Sequence, residues 1–82
     1  MRRTFRKRRF RVVERRMKDA FGQCAYDERV IALHPGLKDR KRLATLVHES
    51  LHACLPDLSE DAVAETEEGI VAWLWQDGWR PT

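Results

Sequence analysis

Pro56 is the residue that most limits what this chain can fold into. Proline lacks a backbone N–H and clashes with the preceding turn, so no regular helix continues through it. On both sides of it, residues recur at helical spacing. Upstream, Leu43, Val47, Ser50 and Cys54 share one face of a helix that starts at Asp39, the N-cap, and ends at Leu55. Downstream, Ser59 is a second N-cap, with Glu60 and Asp61 in the first turn, where the helix dipole favours acids. That second helix runs from about Glu60 to Gln76 and stops at Gly78, a residue suited to a helix C-terminus. The punctuation predicts a helical hairpin, with helices over 39–55 and 59–77.

Before Asp39 the pattern is different. In "TFRKRRFRVVERRM", Phe10 and Val12 alternate with arginines, which reads as an amphipathic or edge strand, a short helix being the alternative. Gln23–Tyr26 and Arg29–Leu33 flank Asp27-Glu28, and Pro35-Gly36 closes the second run. A β-hairpin over 22–35 follows. The expected class is α+β: a small antiparallel sheet of two to three strands packed on the helical hairpin, in one domain spanning 1–82. A chain of 82 residues buries only about 60–65% of the surface its unfolded form exposes. Chains of this size often gain stability from a metal, a disulfide or a partner.

The formal charge of +3 is unevenly placed. Between Met1 and Lys18 there are ten Arg/Lys and one acid, Glu14, whereas Asp57 to Glu68 holds six acids and no base. The basic arm over 1–18 is either a solvated face or an attractor for nucleic acid, an acidic partner or the chain's own acidic half. Two cysteines, Cys24 and Cys54, form no C-x-x-C pair, so thiolate zinc binding has no support, and Cys54 reads as a small buried hydrophobe. No apolar run approaches the ~18 residues of a membrane span, and none follows the basic start as in a secretory signal. The expectation is a cytoplasmic protein without membrane contact. Of Trp73, Trp75 and Trp79, at least two are expected to pack in the core.

Within the first helix stands His48-Glu49-Ser50-Leu51-His52, an H-E-x-x-H motif. At ~100° per residue, His52 lies ~40° from His48, and Glu49 ~100° from it, away from the Leu43/Val47/Cys54 face. Two imidazoles one turn apart on a rigid element can converge on a zinc ion, and the glutamate beside them can reach a water rather than ligate. The alternative is an exposed helical face with two incidental histidines. Zinc needs a third protein ligand. On the second helix Val63, Ile70 and Leu74 define an apolar stripe, and Glu67 falls within it, while Glu65 and Glu68 point outward. A carboxylate in an apolar stripe is costly unless paired or metal-bound. Glu67 is therefore the ligand the spacing selects, pairing with an N-terminal arginine being its alternative.

From Tyr26 to Trp75 the sequence, with "VIALHP", "TLVHESLHA" and "PDLSEDAV", resembles the minimal zincin-type metallopeptidases of the SprT-like and ImmA/IrrE-like kind, which phages and prophages often carry. The resemblance implies a gluzincin-like zinc peptidase acting on protein or peptide, with Zn²⁺ on His48, His52 and an acid of the next helix. It also implies Glu49 as catalytic acid/base and an edge strand around Val30 to Leu33 along which an extended substrate lies. For an oxyanion donor the sequence offers Tyr26 and His34. The competing expectation is a zinc-binding nucleic-acid-associated or protein-interaction module without turnover.

Overall fold

A computed structural model describes residues 2–5 and 8–80, with side chains from Arg9 onward. In chain order the elements are β1 (Arg2–Phe5), β2 (Arg8–Glu14), β3 (Gly22–Ala25), β4 (Val30–Leu33), α1 (Asp39–Cys54) and α2 (Glu60–Gln76). The strands form one sheet in the order β1-β2-β4-β3. The α+β class and the helical hairpin are as expected. The sheet differs in having four strands and being mixed: β1/β2 and β3/β4 are antiparallel, whereas β2/β4 is parallel.

The internal position of β4 has a cause in composition. All four residues of β4 are buried, so neither face of this strand tolerates solvent. Such a continuous apolar run belongs between two neighbours. The segment 15–21 carries the chain past that central position, β3 takes the edge, and β4 returns alongside β2 with Val12 opposite Ile31. Val30–Leu33 is consequently internal, and the edge strand on this side is β3, the more polar Gly-Gln-Cys-Ala segment.

Phe10, Val12, Ile31 and Leu33 project from one face of the sheet and build the core with Leu37 and Ala53, with Cys24, Tyr26 and Leu46 packed against it. Helix α1 covers this face. Helix α2 packs against α1 and, among the described residues, contacts no strand. The most buried stripe of α1 is Thr45, Glu49 and Ala53, while Leu43, Val47, Ser50 and Cys54 are only half-buried. Because α1 is covered by the sheet on one side and α2 on another, its burial is spread beyond the face that hydrophobicity marks.

Ser59 caps α2, its Oγ accepting the Ala62 N–H at 3.1 Å. Gly78 closes it with φ +91°, a conformation that favours glycine. Helix α1 lacks a side-chain cap: Asp39 is its first residue, at φ +53°, and Lys38 holds the N-cap position. Val63 and Val71 are the buried residues of α2. Trp73 stands ~200° round the helix from Val71 and is 77% exposed. Trp79 is also exposed, and half-buried Trp75 stacks with the Arg80 guanidinium 3.6 Å from its ring centre. The expected burial of two tryptophans does not occur, because α2 has only one covered side. Among the described residues, no helix is long and apolar enough to cross a membrane.

Helix α1 comes close to the sheet at Gly22. A Cβ there would sit 2.5 Å from Thr45 Cγ2 and 3.1 Å from Glu49 Cγ. Overpacking of this kind typically costs about 1–3 kcal/mol. Gly22→Ala is expected to lower stability by that amount, read as a fall in Tm of roughly 4–8 °C per kcal/mol. Thr45→Ser deletes the clashing methyl and keeps the hydroxyl that donates to Lys41 O at 2.8 Å. The double variant is expected to recover most of the loss, a non-additivity that a thermal-unfolding cycle measures directly.

Candidate metal centre

Half-way along α1, His48 and His52 face the same way, with ring centroids 5.0 Å apart. Their Nε2 atoms lie 3.3 Å from each other. The third member of the group is Glu60, in the first turn of α2. Its Oε1 is 2.6 Å from His52 Nε2, and its Oε2 is 3.7 Å from His48 Nε2. One donor atom from each of the three residues lies within 4.8 Å of the others. Donors arranged tetrahedrally at ~2.0–2.1 Å from a metal are separated by about 3.3 Å. The imidazole pair has that spacing, and the two carboxylate distances bracket it. His48, His52 and Glu60 can hold a metal ion.

Glu67 occupies a different place. Its Oε1 accepts from His48 Nδ1 at 2.8 Å, on the ring nitrogen away from His52 and Glu60. An ionised carboxylate can only accept, so Nδ1 is the donor, and in the neutral ring that leaves the Nε2 lone pair facing His52 and Glu60. That is the tautomer a metal-ligating histidine needs, and a carboxylate on the far nitrogen is its common support. Spacing correctly put Glu67 on the helix face turned toward α1, where both it and His48 are mostly buried. It missed Glu60, whose position in the first turn has a sufficient explanation in the helix dipole. The signal that finds it is the interval of seven from Glu67, two helical turns, which puts both carboxylates on one face. Glu65 and Glu68 are exposed, as expected.

Glu49 is 7% exposed, turned into the contact between α1 and β3. Burial raises its pKa above the ordinary 4.5; His48 and His52 oppose the rise, and Glu60 and Glu67 add to it. A cleft of about 510 Å³ opens beside it, lined by Gly22, Cys24 and Tyr26 from the β3 side and by His48, His52 and Glu60. Burial, and then the nearby Glu49, push the Cys24 thiol up to about 11, so it stands as a neutral thiol at physiological pH. His34 is not part of the cleft; its Nδ1 accepts the Gly36 N–H at 3.2 Å.

The raised pKa of Glu49 has a sign that stability measurements can read in metal-free protein. A folded-state pKa above the unfolded one means the native state holds the proton more tightly, so stability is highest below the unfolded value and is lost as pH rises through the folded one. Glu49→Gln has no such loss. Urea unfolding from about pH 4 to about pH 8 is expected to show the variant gaining on the native chain above the ordinary carboxylate pKa, then levelling off once Glu49 is ionised. An unchanging difference across that range would mean the carboxylate is solvated.

No protein family, curated protein or solved structure matches this chain, and what the site can do is read from its own geometry.

Proposed function

We propose that the protein is a zinc-dependent hydrolase, and most specifically a peptidase. The observation that carries this reading is the convergence of two imidazole Nε2 atoms and the Glu60 carboxylate beside a buried, protonatable Glu49. Two histidines and a carboxylate, with one position left for water or substrate, are a donor set of catalytic zinc sites. Zinc bound there supplies a Lewis acid that activates water and polarises a carbonyl.

The chain's own residues divide the remaining work. Glu49 is the general base and acid: its carboxylate takes a proton from the attacking water and returns it to the leaving amine. Its burial matters, because a carboxylate with a raised pKa is a better proton acceptor near neutral pH than a solvated one. Glu67 orients His48 and fixes its tautomer. The cleft between α1 and β3 is the substrate channel, and the free edge of β3 is suited to pairing with an extended peptide by strand addition. Peptide is favoured over compact substrates for that reason.

Metal analysis of protein purified without chelator is expected to give about one zinc per chain. Iron(II) suits the same donors, and its presence in place of zinc would redirect the proposal to oxidative chemistry. In cobalt-substituted protein, Glu60→Ala is expected to change the visible spectrum. Glu67→Ala should leave the spectrum and weaken affinity by about 10–100-fold. The reverse pattern would make Glu67 the ligand. Glu49→Gln is expected to keep the metal and lose hydrolysis of casein, followed by amine release, by about 10²–10⁴-fold. Full activity in that variant would refute the catalytic assignment.

A further inference from the structure

The sheet has a second face that no described element covers. Helix α1 lies on the side of Phe10 and Ile31, and among the described residues α2 contacts no strand. On the opposite side the register puts Arg11 beside Val30 and Val13 beside Ala32. Val30 and Ala32 are 2% and 1% exposed, so the centre of this side is closed to solvent and only its charged rim is accessible. Around that small apolar floor Arg9 and Arg11 stand exposed on β2, and Arg15, Arg16 and Lys18 continue beyond its end.

These cations are not neutralised internally. Glu14, the one acid in the first eighteen residues, faces Arg42 of α1 at 3.8 Å. Among the described residues, Arg9, Arg11, Arg15, Arg16 and Lys18 make no side-chain hydrogen bond or ion pair. The nearby acids are Asp19, exposed after Lys18, and Asp27 and Glu28 in the β3–β4 turn, and the acidic run of α2 lies on the far side of α1. The molecule is therefore polarised, positive at the open sheet face and negative at α2.

We infer that the open face of β2, with the basic segment that follows it, binds the phosphate backbone of nucleic acid. Alternate residues of a strand recur every ~6.7 Å, close to the ~6.8 Å that two steps of one DNA strand rise along the duplex axis at ~3.4 Å per phosphate. Arg9 and Arg11 thus match the rise between every second phosphate of a strand. The described residues of this face include no aromatic side chain on which a base would stack, so binding reads charge and not sequence. The negative pole at α2 is repelled by the same polyanion, which fixes the orientation of docking. The candidate metal cleft opens at β3, the edge of the sheet opposite β1, and stays accessible in that orientation.

The test is fluorescence anisotropy of the full chain with a labelled random duplex of about 20 base pairs, across a salt series and with and without chelator. Binding is expected to weaken steeply with salt, to be indifferent to duplex sequence and to persist in chelator, which separates it from the metal-dependent reading. Arg9→Ala with Arg11→Ala removes two phosphate contacts, so the slope of log K against log salt should fall by about 1.8 and affinity at low salt on the order of tenfold. Both residues are exposed, and an unchanged circular dichroism spectrum confirms the fold. Arg15→Ala with Arg16→Ala gives an independent second reading of the same sign. No binding at about 50 mM salt, or binding by both double variants as tight as that of the native chain, would overturn the inference. So would low-salt self-association of the native chain that Arg9→Ala with Arg11→Ala abolishes, since the face would then meet the acidic helix of a second copy.

Discussion

A carboxylate held in the contact between a helix and a strand governs the arrangement of this protein. Glu49 belongs to the stripe of α1 that lies nearest the sheet, where an apolar side chain would ordinarily give more stability. It fits there because β3 has a glycine opposite it, and because Thr45 and Ala53, one turn to either side, are small. The same contact sets the roll of α1 about its axis. With Glu49 turned to β3, His48 and His52 are turned to the opening between β3 and α2, and the cleft forms in front of them. A packing defect on the sheet side is thus what gives the polar cluster its position.

The sheet serves this contact from a distance. Its central strand is apolar on both faces, which makes it the natural neighbour of two strands and leaves the polar β3 at the border. Placing the more polar strand beside the site leaves an unpaired backbone edge next to the cleft. The strongest strand is kept inside, away from the solvent that an edge would meet.

Much of this was legible in the sequence, and the failures have definite causes. Pro56, Ser59 and Gly78 act through their own backbone or a bond three residues away, so the helix ends were readable locally. The H-E-x-x-H spacing likewise contains its own geometry, since one helix carries both imidazoles. Strand order was not readable, because the parallel pairing of β2 with β4 depends on how a loop of seven residues routes the hairpin, which no local pattern encodes. The wheel for α1 selected Leu43 and Val47 on hydrophobicity, whereas burial follows Thr45, Glu49 and Ala53 because small residues allow the nearest approach. Glu60 escaped notice because one residue can satisfy a helix dipole and a histidine pair at once. At least two of the three tryptophans were expected in the core, although a helix packed on one side leaves Trp73 and Trp79 exposed.

Glu60 and Glu67 reach α1 from α2, and among the described residues α2 packs against no element but α1. Apolar contacts between two helices are tolerant of sliding: Val63 and Val71 would find similar partners after a slip of one turn, ~5.4 Å. The two carboxylates would not. A slip of that size takes both away from their histidines together, and no acid stands one turn along to replace Glu67 on one side, where Val63 and Ala64 lie. The acidic residues of α2 thereby act as register pins. They count turns for a hairpin whose apolar contacts cannot, as a polar residue does at the seam of a coiled coil.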